Sequence, residues 1–254
     1  MLEKTLGIVL HQLRYADSKV IVTMFTEAHG TLSFMVRIPH SRRATVHNVL
    51  LSPLSLLEVD IDYQESAHLQ RLIDVRVSEP YQSLPYNPMK QTIALFLAEF
   101  LYYSLREEDT NPELFAYLLR SLLWLDNRRQ GFANFPVTFL IRLSRFLGFW
   151  PNVDLDKRAS IGPNRVDSWS KGGVFDLVDA EMKTTLPPHG SYLKPEEAVF
   201  VPLLMRMDYA TMHLFRFSRE QRARLMQVLN DYYRLHVPHF PELKSMAILR
   251  EVLS

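Results

Sequence analysis

Cationic side chains are the residues of this sequence best suited to work at a site. Arg37, His40, Arg42, Arg43 and His47 fall within one short stretch. Guanidinium groups in such a loop can neutralise phosphates and fix the register of a nucleic-acid backbone, although the same composition also suits a solvated loop. Further arginines group at Arg128-Arg129, at Arg142 and Arg145, and at Arg216, Arg219, Arg222 and Arg224. Arg142 and Arg145 are three apart on one expected helix, so they share a face. That face can dock phosphates or an acidic peptide tail, or simply keep the helix soluble.

Other chemistries find little support. The 254 residues include no cysteine. That excludes disulfides, thiolate nucleophiles, iron–sulfur clusters and every zinc site built on Cys. The nucleophile elbow, phosphate loop, H-E-x-x-H and dinucleotide fingerprints are missing. His236 and His239 form an H-x-x-H pair, but Pro238 breaks the helix that would align their rings and no carboxylate pattern accompanies them. Asp154 and Asp156 have neither the glycine nor the bidentate glutamate of a calcium loop. A hydrolase using His213, His236 or these loop acids has no visible nucleophile–base constellation. We therefore expect no enzymatic activity, no cofactor and no metal. The chain carries 29 basic and 28 acidic residues, and residues 1–80 hold 8 and 9 of them. Any affinity for nucleic acid must then come from local placement and be sensitive to salt.

These residues need elements to position them. Leu57, Val59, Ile61 and Tyr63 alternate with Glu58, Asp60 and Asp62, the period of a half-buried strand. Thr5–Leu13, Lys19–Phe25, Thr31–Ile38 and Leu69–Val77 are also β-rich, and turn residues separate the first three. Five short strands in 1–80 suit a small barrel such as an OB-fold, which limits exposed edges. Beyond Tyr81 the period becomes helical, with helices expected around Ile93–Leu105, Pro112–Asp126, Phe135–Leu147, Pro195–Met207, Tyr209–Phe215, Ser218–His236 and Leu243–Leu253. The Phe and Tyr residues of 93–117 fall on apolar helical stripes and read as core, not as stacking platforms. Residues 150–195 are rich in Pro and Gly and read as an irregular insert, either a small subdomain or a long functional loop. The expected organisation is α+β: an OB-fold domain over 1–80, then an all-α domain over 81–254 interrupted by that insert. The stretch Ile93–Leu105 contains Glu99 and is too short to span a bilayer, and no signal peptide is visible, so a soluble cytoplasmic protein is expected.

Several segments resemble one family, the RecO recombination mediators of bacterial DNA repair. Gly7-Ile8-Val9-Leu10 followed by Tyr15, Asp17 and Ser18 is similar to its opening strand and turn. Phe25-Thr26-Glu27 with Gly30 is similar to its F-T-x-x-x-G hairpin. Val36-Arg37 and Ser41-Arg42-Arg43 match its basic segment, and Leu50–Leu54 resembles its L-Q-P-L element with Ser52 in place of Gln. Leu143–Pro151 is like L-x-x-x-L-G-[FY]-x-P, and Tyr233–His236 with Leu243-Lys244-Ser245 is like Y-x-x-H…L-K-S. Many members carry a four-cysteine zinc site after the L-G-F-x-P element. Here 152–182 has no Cys, although Gly172-Gly173 remains, so Trp169, Val174, Phe175 and Leu177 are expected to hold the insert as an apolar cluster without metal.

The resemblance implies a protein that binds single- and double-stranded DNA and anneals complementary strands. It also implies binding to RecR and to the acidic, apolar C-terminal tail of SSB. With RecR such a protein helps RecA load onto SSB-coated strands, and it associates with the nucleoid during repair. By residue match, Arg37, Arg42 and Arg43 are the expected DNA contacts, with Lys19 assisting from the neighbouring turn. Arg142 and Arg145 lie where the SSB tail is expected. Lys244 is either a DNA contact or a cap and packing element. A different reading is a protein-interaction adaptor that binds RecR or the SSB tail with little DNA binding of its own.

Overall fold

A computed structural model describes residues 1–37, 48–106, 108–153 and 173–253. His40, Arg42, Arg43, His47, Asp154, Asp156, Trp169 and Gly172 lie outside the described residues. The chain forms two compact units, 1–130 with 241–253, and 131–240. The change from strands to helices falls where the period changes, between Val77 and Pro88. Compactness divides the chain elsewhere, because two helices after the strands and the last helix pack into the first unit.

The first unit opens with five antiparallel strands: β1 (Leu2–Ala16), β2 (Lys19–Thr26), β3 (Gly30–Arg37), β4 (Leu56–Asp62) and β5 (Arg71–Val77). Their order is β3-β2-β1-β4-β5. The outer strands approach each other at a parallel bridge, Phe34 to Gln70, where Gln70 N–H donates to the Ser33 carbonyl at 2.8 Å. This is the strand order of an OB-fold, left partly open rather than closed by a full ladder. Period-two residues fill it: Val9, Val20, Val22, Met24, Phe34, Val36, Leu57, Val59, Ile61 and Val75 form one buried cluster. On the opposite face Lys4 pairs with Glu58 at 3.0 Å.

The hairpin motif has a local cause. Thr26 Oγ1 donates to the Gly30 carbonyl at 2.8 Å and accepts from His29 N–H. Gly30 has φ +66, and a Cβ there would collide with the Glu108 carbonyl oxygen. Only glycine combines that torsion with so close a backbone approach. Thr31 N–H then donates to Glu108 at 3.1 Å, fastening the hairpin to the connection between α1 (Pro88–Ser104) and α2 (Pro112–Asn127). Asn87 and Asn111 cap these helices through their side chains, each followed by proline at the first helical position. The last helix, α7 (Ser245–Leu253), packs on α1.

The second unit contains α3 (Phe135–Phe146), a three-stranded sheet of β6 (Val174–Asp176), β7 (Glu181–Lys183) and β8 (Tyr192–Leu193), then α4 (Pro195–Ala198), α5 (Phe200–Arg206) and α6 (Arg219–His236). Two expectations are corrected. Pro195–Met207 is two short helices, because Pro202 has no N–H to offer the Ala198 carbonyl. Tyr209–Phe215 holds only one 3₁₀ turn, Met212–Leu214, since Asp208 accepts from both the N–H and the hydroxyl of Thr211 and bends the chain. Ser218 starts α6 with a complete capping box closed by Gln221.

The L-G-F-W-P and Y-x-x-H segments meet inside this unit. Gly148, at φ +83, ends α3, and Phe149 N–H donates to the Ser144 carbonyl at 3.0 Å. The Phe149 ring stacks on His236 at 4.9 Å, and Tyr232 donates to the Phe149 carbonyl at 2.5 Å. Tyr233 donates to Leu140 at 2.8 Å, and His236 Nε2 lies 2.8 Å from the Leu177 carbonyl. Within the described part of the insert, Phe175, Leu177 and Leu193 pack against Val201, Val228 and Tyr232.

Candidate nucleic-acid interface

Strand register brings two of the expected contact residues together. Lys19 opens β2, Arg37 ends β3, and the two are direct cross-strand partners. Their neighbours Val20 and Val36 point into the barrel core, so alternation turns Lys19 and Arg37 to the outer face. Both are exposed, and neither has an ion-pair partner among the described residues. Like charges directly opposite on a sheet are destabilising, so stability of the fold does not account for this pair. Two cations at directly opposed register positions are an arrangement able to take a phosphate backbone. The same face continues inward as an apolar strip. Leu13 opposes Ile21, which opposes Met35, and Leu13 remains 54% exposed. The strip is legible in the alternation of β2 and β3 with their core residues, yet only the register shows that it abuts the cations. Further along, His11 stacks on Tyr102 of α1 at 4.4 Å.

The helical arginines differ among themselves. Arg142 is half-buried and its Nε donates to the Met207 carbonyl at 2.8 Å, closing the end of α5. Arg145, one turn on, is exposed in the last turn of α3. Arg224 grips Glu197 through two hydrogen bonds, of 2.5 and 3.0 Å, and Arg222 donates to Phe217 at 2.7 Å, so these two serve the unit's own structure. Arg128 covers the Trp124 ring at 4.9 Å.

Lys244 contributes its backbone to packing. Its N–H and the N–H of Ser245 donate to the Glu99 carboxylate at 3.1 and 2.8 Å, and the Ser245 hydroxyl also donates to it. A carboxylate at the first turn of α7 satisfies orphan donors and the helix dipole together. The Lys244 side chain is exposed. Glu99, the charge that interrupts the apolar run of α1, is therefore the anchor of the L-K-S element.

A buried lysine ties α1 to α2 and to the connector that follows β5. Lys90, 1% exposed, donates to the Asp126 carbonyl at 2.8 Å and to the Ser83 hydroxyl at 2.5 Å. Burial lowers the Lys90 pKa, and Asp126 opposes the shift. Burial alone would raise the Asp126 pKa, but N–H donors from Gln82, Ser83 and Leu84, with Lys90, outweigh it and hold the carboxyl below its ordinary value.

The insert holds a comparable cluster. Asp176 is fully buried, accepts from Val178 N–H at 2.9 Å, and lies 2.9 Å from the Lys183 ammonium, which also pairs with Asp179. Burial pushes the Asp176 pKa up, yet Lys183 and the N–H groups of Val178 and Asp179 bring it below the ordinary value. The residues present do not fit a four-cysteine zinc site. There is no Cys, and the buried carboxylate that could act as a ligand is already neutralised by Lys183. Among the described residues no group of three or more His, Asp or Glu is placed to hold a metal. His239, exposed at φ +55, is turned away from helical register with His236.

The strands and helices together form a partly open OB-type sheet followed by a helical region, an architecture that by itself does not fix a function. Family models described as "Recombination protein O N terminal" and "Recombination protein O C terminal" match residues 1–81 and 86–247. The chain is 48% identical over 253 residues to the DNA repair protein RecO of Bacteroides fragilis, covering 99% of each. It is 47% identical to that of Phocaeicola vulgatus over the whole of both chains, and 31% identical to that of Porphyromonas gingivalis over 96% of each. The chain belongs to the RecO family of DNA repair proteins. Among the described residues, no helix is long and apolar enough to cross a membrane.

Proposed function

We propose that this chain is a recombination mediator without enzymatic activity of its own. It binds single- and double-stranded DNA, anneals complementary strands and, with RecR, helps RecA load onto SSB-coated single strands. It does so in the cytoplasm, at the nucleoid during repair. The observation that carries the reading is the Lys19–Arg37 couple on the outer face of the barrel, without an ion-pair partner among the described residues, in a chain of the RecO family. Arg42 and Arg43 follow Arg37 closely in sequence and extend the same cationic segment. Exchange of SSB contacts for its own needs several weak, salt-sensitive contacts rather than one tight one. The acidic SSB tail is assigned to Arg145 with Arg142, whose guanidinium still has N–H groups beyond the one given to Met207.

The adaptor reading has one observation in its favour. An apolar groove of about 250 Å³ between α5 and α6, lined by Phe200, Leu204, Leu225 and Val228, has the dimensions to seat a side chain of a partner peptide. Annealing of SSB-coated complementary oligonucleotides across a salt series separates the two readings. A mediator accelerates annealing at low salt and loses the effect as salt rises. An adaptor binds the SSB tail and leaves annealing of bare strands unchanged.

A further inference from the structure

We propose that Tyr15 is a base-stacking residue for single-stranded DNA, flanked by the Lys19 and Arg37 phosphate contacts. The proposal rests on the nucleic-acid reading above and adds a contact to it. The β1–β2 ladder pairs Arg14 with Val20 and Ala16 with Lys19, so β1 carries one residue too many at this point. The surplus residue is Tyr15. A bulge bends its strand and re-aims the side chain it carries. Ala16, the next residue, opposes Lys19, which opposes Arg37. The bulged tyrosine therefore adjoins the two cations in register, at the tip of the first hairpin.

Its surroundings favour a ligand over packing. Tyr15 is 63% exposed, and among the described residues its side chain makes no ring contact or hydrogen bond. An aromatic ring is normally worth burying, since it carries a large apolar area. Leu13, on the same strand, is 54% exposed as well. Exposed ring and cations together have the composition of a single-strand site, where charges follow the backbone and a π-face takes a base irrespective of its identity. Duplex DNA keeps its bases stacked and offers Tyr15 no such face. The occupant is accordingly a single strand.

The test uses the full-length protein and fluorescence anisotropy with two labelled probes of equal length. One is an oligothymidylate and the other an abasic deoxyribose-phosphate oligomer. Tyr15→Ala should weaken binding of the oligothymidylate roughly 5- to 100-fold and leave the abasic oligomer unchanged. Tyr15→Phe should keep wild-type affinity, and Tyr15→Leu should behave like Tyr15→Ala. Photocrosslinking of an iodouridine-substituted oligomer should map to Tyr15. Unchanged oligothymidylate affinity in Tyr15→Ala, or equal weakening on both probes, overturns the stacking role while the cationic contacts stand. Failure of the wild-type protein to bind either probe overturns the nucleic-acid reading itself, and the stacking role with it.

Discussion

At Glu99 a single carboxylate receives the N–H groups of Lys244 and Ser245 and the Ser245 hydroxyl. Removing it leaves those donors at a helix start without a partner. Glu99→Ala should cost about 1–3 kcal/mol in urea unfolding, while Lys244→Ala should leave stability nearly unchanged because only its backbone is used. Gly30 is the other residue on which a motif depends. Gly30→Ala adds a Cβ into the Glu108 and Asp109 backbone at a positive φ, and should lower the melting temperature sharply or prevent folding. Both positions are visible in sequence, one as a charge in an apolar run and one as the last letter of a hairpin motif. Their partners are not, because each lies more than seventy residues away along the chain and only tertiary packing brings it close.

Among elements, the insert departs most from what its composition announces. Pro and Gly point to irregular chain, but β6, β7 and β8 form a small sheet centred on Asp176 and Lys183. Local alternation is too short in strands of two or three residues to register as a period. Of the expected apolar cluster, Phe175 and Leu177 pack together and Val174 is buried, while Trp169 lies outside the described residues. The ion pair of buried Asp176 with Lys183 leaves no local pattern in the sequence. Its consequence is a pH dependence of defined sign. The Asp176 carboxyl has a folded pKa below its unfolded one, so its contribution to stability is complete above the ordinary carboxylate value of about 4. It is lost as the pH falls through that value towards the depressed folded one. Asp176→Asn should flatten this acid limb, read by thermal denaturation of wild type and variant from pH 7 down to pH 3. Since Lys183 already supplies the cation, elemental analysis should find no stoichiometric zinc, and a chelator should leave the melting temperature unmoved. Stoichiometric zinc would contradict this account of the insert.

For the whole molecule, the charge balance near neutrality means that any affinity for DNA is set by where a few cations stand. The strand positions, the period change and most helices follow from apolar spacing, because each is a local pattern with a known repeat. The pairing of Lys19 with Arg37 does not. It depends on register between two strands and on which face each residue takes, and alternation supplies only the second of these. Arg142 is likewise legible as a cation on a helix face, but not as the group that closes α5. The central claim, that the outer face of the barrel holds DNA through Lys19 and Arg37, is most directly tested by the salt dependence of single-strand binding. Anisotropy titrations of the wild-type protein and of the double variant Lys19→Glu with Arg37→Glu should be compared across a range of salt. The variant should remain folded, bind far more weakly at low salt, and show a log–log salt slope shallower by about 0.7 for each phosphate no longer neutralised. Equal affinity and equal slope in the two proteins would contradict it.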